Sequence, residues 1–589
     1  MNFKILAEYL SQLEATASRN KITEILADLL SKTDKEEIDK ICYLCLGELA
    51  PSYAGLDFNL AEKLMIRVIS KAFSVSEDGV KQQYKKIGDL GEVGEKLKAP
   101  SSKSKTTIQN SKLSVLAVYQ KLYQIAVESG EGSVERKIKQ MAELLNELDD
   151  LSVKYVIRIP LGKLRLGFSE LTILDALSWM VVGNKSKRQE IERAFNIRAD
   201  VGQIAKIVKE KGLKGLKTIK IKLGVPIIPA LCQRLPNAEE MIKKMGKVAV
   251  EPKYDGTRLQ AHYGLKSRVG SSSSQGVRLF TRNLENVTPM FPEIVAALTK
   301  EVKAKEVIFD GEVIGFNPQT GRFLPFQETI KRKRKYQVEQ KAKEIPLRYF
   351  VFDLLYKDGQ DLLHLPFDQR RKILEKLFLK NNKTIFLSPQ ILTEDVEELR
   401  KFHDEQIKKG LEGVVLKKWQ APYDPGRRGY TWVKFKQEES KKGGGLADTL
   451  DCLVMGYYRG RGKRADFGIG AFLVGIRESA RTDKILTISK IGTGLTDEQW
   501  RELKLKIENL KLKVEEKPKQ YLVDKNLFPD VWCQPEIVVE IKADNITRSP
   551  IHTAGLALRF PRLVRFREDK SVNEVTTLAE AEKLYQLQA

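Results

Sequence analysis

The chain has 589 residues, 42% hydrophobic and 31% charged, which excludes a disordered polymer and leaves room for roughly three to five domains with separate cores. With 102 Lys and Arg against 78 Asp and Glu, its net charge of +24 is spread through folded-looking segments, so a polyanionic partner is expected, nucleic acid being the commonest. Five cysteines without repeated spacing, a charged amphipathic start and no apolar run near the ~20 residues of a bilayer span argue against a disulfide scaffold, a signal peptide or a membrane protein, and for the cytoplasm.

Residues 1–220 read as amphipathic helices. Apolar positions recur at three and four in Phe3-Ile5-Leu6-Tyr9-Leu10-Leu13 and in Ile22-Ile25-Leu26-Leu29. Cys42 and Cys45 lie in an apolar helical stretch with no second ligand pair, so they read as buried thiols. The four histidines lack metal-ligand spacing. A polar connection runs from Ala99 to Lys105. Farther on, Gly162-Lys163-Leu164-Arg165-Leu166-Gly167 suits a tight loop presenting amides and the cations Lys163 and Arg165 to phosphates.

Prolines in Gly224-Val225-Pro226-Ile227-Ile228-Pro229 mark a boundary, and residues 221–443 mix short strands with helices. Here Glu251-Pro252-Lys253-Tyr254-Asp255-Gly256-Thr257-Arg258 sits at a strand-to-strand turn. Neighbouring cations are expected to depress the Lys253 pKa and make its amine a nucleophile. Arg258 would supply a donor fork for a phosphate or nucleotide hydroxyls. A serine-rich run, residues 270–276, reads as a flexible hairpin tip before Arg282. Glu312 follows an Asp310-Gly311 turn pair, Phe352 lies in a buried strand with a face to offer a base, and Glu412 precedes Lys417 by five residues. After Arg427-Arg428, Lys434 and Lys436 alternate onto one face of a strand. Together these supply an amine nucleophile, a stacking aromatic, cations for phosphates and carboxylates for a divalent ion, the requirements of nucleotidyl transfer.

A glycine linker at 443–445 precedes residues 444–589, where short strands and basic glycine turns suggest a nucleic-acid-binding barrel. The cationic Arg559-Phe560-Pro561-Arg562 and Arg565-Phe566-Arg567-Glu568-Asp569-Lys570 lie near its end.

In this order the clusters resemble the motif series of the ATP-dependent DNA ligases of the three-domain archaeal and eukaryotic replicative type, over nearly the whole chain. The resemblance implies an all-α DNA-binding domain (1–220), an α+β nucleotidyltransferase or adenylation domain (221–443) and a β-barrel OB-fold domain (444–589), the last mobile about its linker. It implies that Lys253 takes AMP from ATP in a phosphoramide bond, that Glu251, Arg258 and Arg282 contact adenine or ribose, and that Phe352 stacks on adenine. Glu312 would serve the ribose or metal, Glu412 the metal, and Arg428, Lys434 and Lys436 the phosphates, with Lys417 nearby. Arg567 and Lys570 would orient the pyrophosphate leaving group, and Phe326 and Phe560 would lie against the minor groove beside the nick. Mg²⁺ is the implied metal and nicked duplex DNA the implied substrate of a monomer serving replication, repair and recombination. A sliding clamp is left open. The segment between Arg258 and Arg282 departs from the family by its serine-rich lengthening.

Three rivals differ in what they need. RNA ligases and capping guanylyltransferases share the lysine motif but lack this helical first domain. NAD-dependent DNA ligases carry a four-cysteine zinc module absent here, and a silent DNA-binding scaffold has no use for Lys253, Glu312 and Glu412 together.

Overall fold

Helical periodicity in the first third of the chain becomes twelve α-helices among the described residues, from α1 (Phe3–Glu14) to α12 (Val201–Lys211). The computed structural model of the protein describes residues 1–99, 113–164, 166–264, 276–332, 338–379, 381–426, 429–436, 448–459, 468–493, 495–509 and 512–587, without the side chains of 326 and 327. The polar connection beyond Ala99, the serine-rich run before Gly276 and the glycine linker read from the sequence lie outside these residues, as do Arg165 and Arg428. Side chains cap many of the helices. Asn2, Ser18, Ser114 and Asp149 each accept a backbone N–H of the first turn, satisfying donors that the helix itself cannot. The apolar stripes meet in one core running from Phe3 to Ile219, and Cys42 and Cys45 are buried in it as free thiols.

The chain forms two compact units, Met1–Phe435 and Lys436–Ala589. Within the first, two sheets follow the helices. One has strand order β1-β11-β10-β2-β9, built from β1 (Gln233–Arg234), β2 (Val248–Pro252), β9 (Ile391–Thr393), β10 (Gly413–Lys418) and β11 (Trp432–Lys436). The other has order β4-β3-β5-β6-β7, with β8 (Ile385–Leu387) also pairing β6, built from β3 (Thr257–Tyr263), β4 (Val277–Thr281), β5 (Val307–Gly315), β6 (Leu347–Lys357) and β7 (Gln360–Asp361). Every residue of β2 is buried, as expected of a strand covered on both faces. Each sheet packs helices on one side through its own core. A separate cluster containing Ile308, Leu355 and Trp432 joins the two sheets face to face.

The strand-to-strand turn at residues 253–256 carries the chain from β2 in one sheet to β3 in the other. One turn read from the sequence needs correction, because Asp310-Gly311 is not a turn. Both lie inside β5, where the register with β6 shifts between them. A strand that bends by a bulge can hold a polar residue in an otherwise apolar run, and turn propensity alone does not reveal this.

In the second unit β12 (Leu450–Arg459) pairs β13 (Ile469–Arg477) on one side. That pairing shifts register between Val454 and Gly456, and on its other side β12 pairs β17 (Val531–Cys533) and β18 (Val538–Lys542) one after the other. A long strand shared end to end by two partners curls its sheet, and this unit is the expected strand-rich, curled domain. Among the described residues no helix is long and apolar enough to cross a membrane.

At Gly256 the crossover leaves no room for a side chain, because a Cβ there would collide with the Val313 carbonyl. Gly256→Ala therefore forces backbone to move and is expected to lower local stability by about 2–4 kcal/mol. Hydrogen exchange of the β3 and β5 amides measures this, faster exchange being the expected outcome.

Candidate active site

Lys253 stands at the point where the chain leaves β2. Its N–H donates to the Gly413 carbonyl (2.9 Å) and its carbonyl accepts from Glu412 N–H (3.1 Å), so its backbone is clamped to the start of β10. Its ammonium meets the Glu412 carboxylate in an ion pair. Glu312, opposite Arg258 in the β3–β5 register, adds a second negative charge. Burial works against the ammonium, yet Glu412 and then Glu312 outweigh it and hold the pKa above the ordinary 10.5. The expected depression by cations is thus reversed, because the nearest charges are carboxylates. Burial, opposed by Lys253 and Arg258, lifts the Glu312 carboxyl to about 8.

Around this pair lies a set of buried, matched charges. Glu251, 2% exposed, binds Lys417 Nζ (2.9 Å) and lies 3.5 Å from Arg371. Burial raises its pKa despite both cations. Lys417 also donates to the Phe352 carbonyl (2.6 Å) and sits 4.6 Å and 4.5 Å from the Phe352 and Trp432 ring centres. The carboxylate–lysine pairing suggested by Glu412 and Lys417 is therefore exchanged. Glu412 serves Lys253, and Lys417 serves Glu251 from the adjacent strand. Phe352 is half-buried, with its edge toward Trp432.

Arg258 directs its fork at Asp310, with bonds of 2.9 and 2.6 Å, and a third bond at the Ala230 carbonyl (2.8 Å). The fork, expected to serve a phosphate or nucleotide hydroxyls, is fixed by these protein groups. Tyr423 donates to Asp310 (2.7 Å) and accepts from Ala230 N–H (2.9 Å), completing the brace. Lys434 and Lys436 are half-buried at alternate positions of β11. Lys434 acts electrostatically on Cys232 together with Lys253, Arg258 and Lys417, which gathers these four cations about one thiol.

Other predicted residues fall elsewhere. Arg282 follows β4, exposed, and β3 lies between β4 and β5. Lys163 pairs with Glu62 instead of standing free. The Phe326 side chain, Arg165 and Arg428 are outside the described residues. In the second unit Arg567 and Lys570 converge on Asp451 (3.0 and 2.6 Å), and Arg567 also grips Asp569. Phe560 is 57% exposed with a φ of +52°, a left-handed backbone rare for an aromatic.

Asp310, Tyr423, Arg371 and Asp451 were not singled out from the sequence. A signal existed for Asp310, an acidic residue inside Val307-Ile308-Phe309, where burial demands a cationic partner. Nothing local marks Tyr423 or Arg371, whose partners are remote in the chain.

Three family models match in chain order. DNA ligase N terminus covers residues 2–178, ATP dependent DNA ligase domain 229–436, and ATP dependent DNA ligase C terminal region 465–570. A probable DNA ligase of Dictyoglomus turgidum is 44% identical over 593 residues, spanning 99% of this chain and 97% of that one. A DNA ligase of Saccharolobus solfataricus is 39% identical over 606 residues, spanning 100% of this chain and 98% of that one. A solved structure described as Pmar-Lig_PreS3 shares the fold, with a TM-score of 0.53 at 17% identity over 95% of this chain and 99% of that chain. The chain belongs to the ATP-dependent DNA ligase family.

Proposed function

We propose that Lys253 carries AMP in the strand-joining reaction of this ATP-dependent DNA ligase, and that the charges around it seat the nucleotide. One observation carries this reading: a lysine amine held inside the protein where two sheets meet, with Glu412 against it and Glu312 beside it. A hydrated ammonium is seldom placed so without a chemical use.

The amine must be neutral to attack. Glu412, paired with the ammonium, is placed to take its proton. Nζ then bonds to the α-phosphorus of ATP as pyrophosphate leaves with the electron pair of the broken P–O bond. A 5′-phosphate oxygen at the nick takes the AMP and frees Lys253, and the 3′-hydroxyl displaces AMP to close the strand. Each step moves negative charge across phosphorus, so fixed cations do most of the stabilising. Lys434, Lys436 and Arg428, with Lys417 behind them, are assigned to phosphates. Phe352 is assigned to the adenine face, and Glu251, Arg258 and Arg282 to adenine or ribose.

Glu312 and Glu412 suit Mg²⁺. Two carboxylates leave room for water and substrate oxygens, and no larger His, Cys, Asp and Glu cluster occurs among the described residues. Bound there, the ion would neutralise charge on phosphate oxygens.

The domain boundaries 1–220, 221–443 and 444–589 belong to this proposal, as do DNA contacts by Lys163, Arg165, Phe326 and Phe560 and leaving-group orientation by Arg567 and Lys570. The exposed, left-handed Phe560 supports its part, since backbone strain is retained where it is used. Five free thiols support a reducing compartment, hence the cytoplasm, near the nucleoid of a prokaryote. The chain would act as a monomer on nicked duplex DNA in replication, repair and recombination, with a sliding clamp as a candidate accessory partner.

Lys253→Ala is expected to seal an ordinary nick at least ~1,000-fold more slowly, while still closing a nick supplied with its 5′-phosphate already adenylated. Loss of both activities, or of neither, contradicts the assignment. Lys417→Met leaves Glu251 buried with Arg371 as the cation beside it and is expected to destabilise the first unit by about 3–5 kcal/mol. Glu251→Gln added to it should restore part of that loss, as measured by urea unfolding.

A further inference from the structure

The nucleotide site is tied to the helical part of the same unit through one residue. Asn196, in the last turn of α11 (Arg188–Ile197), is 7% exposed and bonds to both chain segments that pass beneath the Arg258 brace. Its Nδ2 donates to the Pro425 carbonyl (2.9 Å), two residues beyond Tyr423. Its backbone carbonyl accepts from Ile228 N–H (2.9 Å), two residues before Ala230. Those two segments bond to each other through Gly426 N–H and the Pro229 carbonyl (3.3 Å). At their far ends Tyr423 and Ala230 meet, and both touch Arg258 or its partner Asp310.

The contact is tight as well as polar. Gly426 has a φ of +72°, and a Cβ on it would lie 2.9 Å from Asn196 Oδ1. The Asn196 carboxamide therefore fills the space that a side chain at 426 would need. Its neighbours do not bridge the two segments in this way: Ala199 N–H donates to the Pro226 carbonyl (3.3 Å) and Arg198 to the Lys220 carbonyl (3.1 Å).

The geometry points to Asn196 as a positioning residue for the reaction proposed above: it sets the two segments that hold Arg258 in place, and so makes nucleotide affinity depend on how the helices are seated. It does not touch substrate. Its effect passes through Tyr423, Ala230 and Arg258, so it should appear in how well ATP is held and not in the rate once ATP is bound. The inference rests on the assignment of Lys253 as the AMP carrier.

The test is formation of the lysyl-AMP adduct by the full chain at varied ATP. Asn196→Ala is expected to raise the ATP concentration for half-maximal adduct formation about five- to tenfold, the scale of one hydrogen bond, with the limiting rate unchanged in a chain that still unfolds cooperatively. Gly426→Ala drives a methyl toward the same carboxamide and should move that concentration in the same direction, which keeps the question open to test if Asn196→Ala does not fold. In an Arg258→Met background, Asn196→Ala should add less than about twofold, because two changes on one route do not add. An unchanged half-maximal concentration in whichever variant folds overturns the inference, and so does a full additive loss on top of Arg258→Met. A parent chain that forms no adduct at all instead contradicts the Lys253 assignment.

Discussion

Burying charge in pairs is the constraint on which this enzyme's interior depends. Where the two sheets of the first unit meet, Arg258 faces Asp310, Lys417 faces Glu251 and Lys253 faces Glu412. Any of these groups alone would be strongly disfavoured in such surroundings, and each is tolerated because its partner comes from another strand. The pairs therefore fix which strands lie together. Arg258 shows the consequence: held at three points by Asp310 and Ala230, it is a rigid edge of the site before any ligand arrives.

The same principle explains the altered state of Lys253. Positive residues are plentiful nearby, but Glu412 pairs with the amine directly, so the free protein keeps it as an ammonium. A nucleophile stored in protonated form with its counter-charges is stable when idle. On the proposed assignment its activation comes with the nucleotide, since a divalent cation brought with the phosphates would compete with the amine for those carboxylates.

What was legible in the sequence follows from range. Helical periodicity, strand alternation at Lys434 and Lys436, and the turn residues of the glycine-rich segments are local, and they located elements and most of the candidate residues. Partner choice is not local. That Glu251 would meet Lys417 and Arg371, or that Asp310 would take up the Arg258 fork, depends on a chain path from one sheet to the other at residues 253–256. A hairpin looks the same over eight residues. The pKa expectation for Lys253 failed for that reason, since counting nearby cations in sequence does not rank them by distance. Lys163 is a similar case, an exposed-looking loop cation drawn to Glu62, ~100 positions away.

The account stands on one covalent event. Intact chain incubated with ATP and Mg²⁺, then digested and mapped by mass spectrometry, should carry a single AMP on the peptide holding Lys253, linked through nitrogen and released by acid. AMP found on another residue, or none despite bound nucleotide, would contradict it.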